Sequence, residues 1–242
     1  MWRGPPPWSV RRALWCLLTA RMYDWNSVTE GKVAATVHGR YLAIPPAVSG
    51  PAPLLVGFHG YGEDAEAQLE RLRAIPGSEG WLVVSIQALH RFYDRRTDRV
   101  VASWMTRQDR DAAIADNLAF VATCLDAVSA QWPTRPRIVF AGFSQGVAMA
   151  FRCAVNAPPG VAGVIAVGGD IPPELTAGEL QRIAAVLLAR GNSDGFYRTE
   201  KFAEDQGRLV NGSVNVTAVE FDAGHKWADE VTAAAGQFLR ER

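Results

Sequence analysis

Two pentapeptides in this chain share the pattern Gly-x-Ser-x-Gly: Gly142-Phe143-Ser144-Gln145-Gly146 and Gly191-Asn192-Ser193-Asp194-Gly195. A serine flanked in this way, between a strand and a helix, sits on a turn so tight that side chains at the glycine positions would collide. The turn strains and exposes the hydroxyl, which suits attack on a carbonyl carbon once a base removes its proton. His38, His59 and His90 precede both serines, and only His225 follows them, in Phe221-Asp222-Ala223-Gly224-His225. Gly224 is expected to let the chain turn that imidazole back over a sheet edge. Asp194 and the rival Asp170, in Gly168-Gly169-Asp170, are the carboxylates placed to fix the imidazole tautomer and stabilise its charged form.

The elements that must hold these residues can be read from hydrophobic pattern. Leu54 to Phe58, Trp81 to Ile86, Ile138 to Phe143, Val161 to Val167, Ala184 to Leu188 and Val214 to Phe221 are continuous apolar runs bounded by Gly, Pro or Asn. Such runs predict strands buried on both faces of a parallel sheet. Between them, Ile114, Leu118, Val121, Leu125 and Val128 recur at helical spacing, as do Val231, Ala234, Phe238 and Leu239 near the C-terminus. Ahead of these, Val33 to Val37 and Tyr41 to Ile44, turned at His38-Gly39 and stopped by Pro45-Pro46, read as an antiparallel hairpin. The fold class is therefore α/β, a mostly parallel central sheet with helices on both faces and right-handed crossovers, its ligands bound at the strands' C-terminal ends.

Position separates the two serines. The helix after Ser144 is apolar nearly all round (Val147, Ala148, Met149, Ala150, Phe151), as a helix packed at the sheet centre must be, whereas the one after Ser193 carries Arg198, Glu200, Lys201, Glu204 and Asp205. Ser144 is the expected nucleophile and Ser193 a turn residue. Gln145 opens the helix, so its N–H is expected to face the reacting carbonyl oxygen with the helix dipole behind it. A second donor is expected from His59-Gly60-Tyr61-Gly62, where glycines on both sides let the Tyr61 N–H approach, and His59 itself reads as a structural hydrogen-bonding group.

Composition narrows the partners. The chain has 242 residues, 25 basic against 25 acidic, and 48% hydrophobic residues, which is neither a disordered chain nor a multi-span membrane protein. Neutral charge supplies no basic face for nucleic acid, and the arginines at 91, 95, 96 and 99 read as a solvated loop. Cys16, Cys124 and Cys153 stand apart without metal-ligand spacing, which fits a reducing cytoplasm. Residues 1–21 pair Arg3, Arg11 and Arg12 with the short apolar run Ala13 to Ala20. This reads as an extension ahead of a folded domain at 22–242, the alternative being an export signal; the run is too brief to span a bilayer. The loop Ala88 to Arg107 is long, and Phe92, Tyr93 and Trp104 in it, with Tyr61 and Tyr197, are expected to wall a substrate site.

With its motifs in this order the chain resembles the serine α/β-hydrolases of the phospholipase/carboxylesterase type, from about Val33 to the C-terminus. The resemblance rests on His59-Gly60-Tyr61-Gly62, Trp104, Gly142 to Gly146, Asp194 and Gly224-His225, in the hydrolase chain order of serine, acid and histidine. It implies Ser144, Asp194 and His225 as a triad, an oxyanion hole from the Tyr61 and Gln145 amides, no cofactor or metal, and small carboxylic esters or thioesters as substrates of a monomer or homodimer. The chain departs from the family at Tyr61, where a small or aliphatic residue is usual, and at Glu63, which precedes Asp64 where an aspartate directly follows the second glycine. It departs again at Arg190-Gly191, in place of His-Gly, and in lacking the proline that commonly follows the acid. Only Gly169 to Ile183 separates the strand before the acid from its predecessor, so no large cap is expected and the site should suit small or aromatic esters. A serine peptidase or an acyl-protein or lysophospholipid hydrolase of the same fold is the alternative.

Overall fold

The apolar runs assemble as neighbours. In the computed structural model, which describes residues 28–47 and 49–242, strands β1 (Arg40–Ile44), β2 (Ala52–Phe58), β3 (Leu82–Gln87), β6 (Thr134–Phe143), β7 (Val161–Val167), β8 (Ala185–Gly191) and β9 (Asn215–Phe221) form one sheet in the order β1-β3-β2-β6-β7-β8-β9. Every pairing is parallel except β1 with β3. The sequence-predicted strand at Val33 to Val37 is absent, and residues 28–39 are exposed and without regular structure. Tyr41 to Ile44 finds its antiparallel partner in β3 instead, which satisfies its ladder and removes the need for a local hairpin. The antiparallel hairpin of this fold lies in the long loop, where β4 (His90–Tyr93) pairs with β5 (Val100–Ser103).

The chain divides into two units, Met1–Thr36 and Val37–Arg242. The expected extension at 1–21 lies outside the described residues.

Alternation along each strand splits the core in two. Leu54, Val56, Phe58 and Phe140 face helices α2 (Arg110–Gln131), α3 (Gln145–Asn156) and α5 (Thr199–Asn211), while Leu55, Val139, Ala141 and Phe143 face α1 (Ala65–Arg73) and α6 (Asp229–Arg240). Cys124 and Cys153 are buried on α2 and α3, and burial pushes the Cys124 thiol up to about 12, so both are packing residues. By length and composition alone α2 could cross a membrane, but Ala113, Asn117, Val121, Cys124 and Val128 form its buried face, as in a helix laid on a sheet. The link from β7 to β8 holds only the four-residue α4 (Ala177–Leu180), so no cap is inserted there.

The consequence for function is positional. Ser144 follows β6, Gly168 follows β7, Asp194 follows β8, His225 follows β9 and His59 follows β2. All five loops open at the C-terminal edge of the parallel strands, where such sheets bind ligands.

Candidate active site

Ser144 has φ 52° and ψ −120°, a backbone conformation rarely held by a side-chain-bearing residue. The turn is locked from both sides. A Cβ on Gly146 would lie 2.1 Å from the Phe58 carbonyl oxygen, and one on Gly142 would lie 2.4 Å from that of Gly146. The two glycines are therefore required by close backbone approach. Ser144 N–H donates to Val167 O at 2.8 Å, tying the strained residue to the neighbouring strand.

The turn points the hydroxyl at an imidazole. Ser144 Oγ and His225 Nε2 are 2.8 Å apart, and His225 Nδ1 lies 2.8 Å from Asp194 Oδ2. The other carboxylate oxygen, Asp194 Oδ1, accepts from the Phe196 and Tyr197 amides at 2.8 and 2.9 Å. Asp194 is buried, and these two amides supply the partners a buried carboxylate needs. Asp170, the rival carboxylate, is exposed beside the same cavity but is not the partner of the imidazole. Ser193 is an exposed turn residue whose N–H donates to Ala223 O.

The expected turning point at Gly224 is corrected: its φ is not positive, and a Cβ there would meet nothing nearer than 3.9 Å. The close approach falls on Gly191, where a Cβ would lie 2.3 and 2.4 Å from the Ala223 and Gly224 carbonyl oxygens. Glycine is needed where the acid loop passes over the histidine loop. Arg190, in place of a histidine, is buried and donates to Glu220, Tyr197 O and Asn192 O, so it clasps the acid turn from below.

The loop after β2 is equally built. His59 is fully buried; its Nδ1–H donates to Gly60 O at 2.7 Å and its Nε2 accepts from Ala88 N–H at 3.1 Å. Burial holds its pKa below the ordinary histidine range, although the Gly60 carbonyl favours the charged ring. Glu63 accepts from the Gly60 N–H at 2.7 Å and from both Nη atoms of Arg71 at 2.6 and 2.5 Å. Burial opposes the Glu63 charge, but Arg71 and the Gly60 amide outweigh it and hold the carboxyl below its usual range. Asp64 caps α1 through the Ala67 N–H, so the sequence departure at Glu63 and Asp64 divides two tasks between two carboxylates. Among the described residues the Tyr61 N–H has no hydrogen-bond partner.

A pH dependence follows. The His59 pKa is depressed on folding, so below about 6.5 the unfolded chain binds a proton that the folded chain resists, and stability falls as pH falls from there. The Glu63 contribution has the same sign but is lost only at pH values below the ordinary glutamate range. Thermal melts from pH 7 to pH 5 are expected to show a falling Tm for the wild-type chain and a shallower slope for His59→Gln; equal slopes would exclude His59 as the source.

Of the expected substrate wall, the structure keeps part. A cavity of about 330 Å³ reaches from Ser144 and Gln145 past Ala148, Met105 and Phe196 to Tyr197. Tyr197 lines it although nearly buried, its hydroxyl donating to Asp205. Phe196, missed in the sequence, is 86% exposed and lies on the His225 ring at 5.0 Å between centroids. Trp104 does not face the cavity: it is fully buried and its indole N–H donates to His59 O at 2.8 Å. A buried indole takes the partner its N–H needs, and here the partner is the loop after β2. Phe92 and Tyr93 stand on the exposed hairpin, Phe92 against Tyr61 at 5.6 Å, and neither borders the cavity. The Gln145 side chain accepts from Trp104 N–H and donates to Met105 O.

The family model for phospholipase/carboxylesterase matches residues 41–241, the span that carries all of these loops. The chain belongs to the phospholipase/carboxylesterase family. It is thus a hydrolase of the carboxylesterase type, with the mostly parallel sheet of that family's α/β-hydrolase fold. A search of curated proteins gives no match. Among solved structures it is similar to esterase PE8, with 23% identity, a TM-score of 0.66 and coverage of 85% of this chain and 99% of that one. It is also similar to Zea mays acyl-protein thioesterase 2 (18%, 0.66, 84% and 99%) and to the Bacillus cereus carboxylesterase (16%, 0.67, 84% and 94%). At these identities the likeness is one of fold. Relative to the family pattern expected from sequence, this phospholipase/carboxylesterase keeps the serine turn and replaces the supports around it.

Proposed function

We propose that this phospholipase/carboxylesterase hydrolyses small carboxylic esters or thioesters through an acyl-enzyme on Ser144, with His225 as general base and Asp194 as its partner. The observation that carries the reading is the chain of two 2.8 Å contacts from Ser144 Oγ through His225 to Asp194 Oδ2, on a serine held at positive φ. In this reading His225 Nε2 takes the hydroxyl proton as Oγ attacks, while Asp194 keeps the Nδ1–H tautomer and stabilises the imidazolium. The Tyr61 and Gln145 N–H groups hold the developing oxyanion, Gln145 being the first residue of α3 and so among the amides a helix leaves without an internal partner. His225 returns its proton to the departing alcohol or thiol. Water, deprotonated by the same nitrogen, then releases the carboxylic acid and Ser144.

A cavity of about 330 Å³ is at the small end of the usual range for ligand sites, about 300–1,000 Å³, which supports a small acyl group over a long chain. Aromatic acyl groups lose support, since among the described residues only Phe196 and Tyr197 of the aromatic side chains line the cavity. A fluorophosphonate probe is expected to label the wild-type chain and Ser193→Ala but not Ser144→Ala; retained labelling in Ser144→Ala would assign the nucleophile elsewhere.

A further inference from the structure

The cavity that opens at Ser144 does not end in an apolar floor. Arg110, Arg152 and Lys201 line it, against one carboxylate, Asp170. Lys201 is held by Glu204 and Asp205 at 3.0 and 3.2 Å. Arg152 is different. Its side chain is 3% exposed, and its Nε and Nη2 both donate to a single oxygen, Oε1 of Glu174, at 2.8 and 2.6 Å. Its Nη1 has only the Met105 sulfur at 3.9 Å, a weak acceptor. The Arg110 guanidinium stands 3.8 Å from the other oxygen of Glu174 and 3.8 Å from Asp111. At this end of the cavity, where α2 begins beside α3, Glu174 faces two guanidinium groups, and a buried guanidinium keeps donors that no protein carboxylate fills. A second carboxylate would complete the arrangement with charge-assisted hydrogen bonds.

The helix sets how far that point lies from the reacting atom. Ser144, Ala148 and Arg152 all line the cavity, at steps of four along one face of α3. Residue 152 is about 12 Å along the axis from Ser144, and helical side chains lean back by about one turn, leaving about 6–8 Å between hydroxyl and guanidinium. The hydrogen bond between carboxylate and guanidinium takes about 3 Å of that span, and an extended chain covers about 1.2 Å per bond, so about three to four bonds join the serine oxygen to the carboxylate oxygen.

We propose that the acyl part of the substrate ends in a carboxylate, and that the enzyme hydrolyses half esters or half thioesters of dicarboxylic acids of about three or four carbons. The inference rests on the hydrolase reading above and narrows its substrate class. Water and the half ester give the dicarboxylate and the free alcohol or thiol; Arg152 and Arg110 bind the distal carboxylate throughout and take no part in bond making. Asp170, on the loop after β7, repels a carboxylate placed on its side of the cavity and so directs it toward α2 and α3. The arginines of the long loop do not line this cavity: Arg99 pairs with Asp64 and Arg91 donates to His38 O.

Ethyl hydrogen succinate and ethyl butyrate share chain length and leaving group and differ in the terminal carboxylate, and a pH-stat follows both. The expected kcat/KM is at least about tenfold higher for the half ester, carried by KM, and the ratio of the two falls toward one in Arg110→Gln and in Arg152→Met. A wild-type ratio at or below one, or a preference that neither substitution reduces, overturns the inference. Arg152→Met breaks a buried ion pair and could fail to fold. Arg110→Gln, at a half-exposed position, and competitive inhibition of the wild-type enzyme by free succinate against free butyrate carry the test without it, with equal inhibition by the two acids counting against the proposal. Should neither ester be turned over, the hydrolase reading fails separately, and calorimetric titration of the same two acids into the wild-type protein decides this one: tighter succinate upholds it, equal or absent binding ends it.

Discussion

His225→Ala is expected to lower kcat for a short ethyl ester by about 10⁴- to 10⁶-fold, because the base and the nucleophile act as a unit. Asp194→Asn is expected to cost about 10⁴-fold by presenting the wrong tautomer to Ser144. The signature that separates a working triad from three independent polar residues is non-additivity. Ser144→Ala combined with His225→Ala should be no slower than either alone, since the activity left comes from the proposed oxyanion donors and binding. Steady-state kinetics on the three variants, with circular dichroism to show that each folds, measures this. A kcat for His225→Ala within tenfold of wild type would remove the histidine from the mechanism.

The second large effect is on stability. Trp104 is the bulkiest of the fully buried side chains, packed edge-on against Phe58 at 5.4 Å and beside His59 at 5.2 Å between centroids. Trp104→Ala should cost about 3–5 kcal/mol, the range for truncating a buried aromatic. Trp104→Phe separates volume from hydrogen bonding: it keeps most of the packing but leaves His59 O without its indole donor, a loss of about 1–3 kcal/mol. Denaturant unfolding gives both values, and a loss below about 1 kcal/mol for Trp104→Ala would contradict a core role.

Trp104 also shows where sequence reading stops. An aromatic in a long loop beside a candidate site fits a substrate wall and a core equally, and only the position of the Phe58 ring and the His59 carbonyl decides between them. The inner strands of the sheet were legible because burial on both faces leaves few polar residues to interrupt the run, as in Val161–Val167, which matches the observed strand at both ends; the edge strand β9 is largely exposed and carries Asn215, Thr217 and Glu220. Val33 to Val37 is a short, mostly apolar run like Tyr41 to Ile44, yet pairing is a tertiary event, and β3 offered Tyr41 a better ladder than a local turn could. The β4 and β5 strands were hidden because each is only four residues long and β4 is exposed throughout, so no extended apolar run marks the pair. At the site, Ser144, Asp194 and His225 declared themselves by glycine context and chain order. The charged end of the cavity did not, because Arg110, Arg152 and Lys201 come from three helices and each alone reads as a solvated surface group. One signal was available: Arg152 interrupts an otherwise apolar helix, eight residues after the serine and on its face.

Ser103, Trp104 and Met105 bond to Gln145 on one side and to the His59 carbonyl on the other. The serine turn therefore does not travel as a module. Transplanting Gly142 to Gly146 onto another parallel sheet would carry the strained hydroxyl and one of the two proposed oxyanion amides, but the loop holding the other, at Tyr61, is tied down by a tether that belongs to a different strand. A designer would have to move β5 and its exit loop along with it, and divergence of the hairpin within a family of such enzymes is limited at its inner end by the same requirement, while its outer end is free to change.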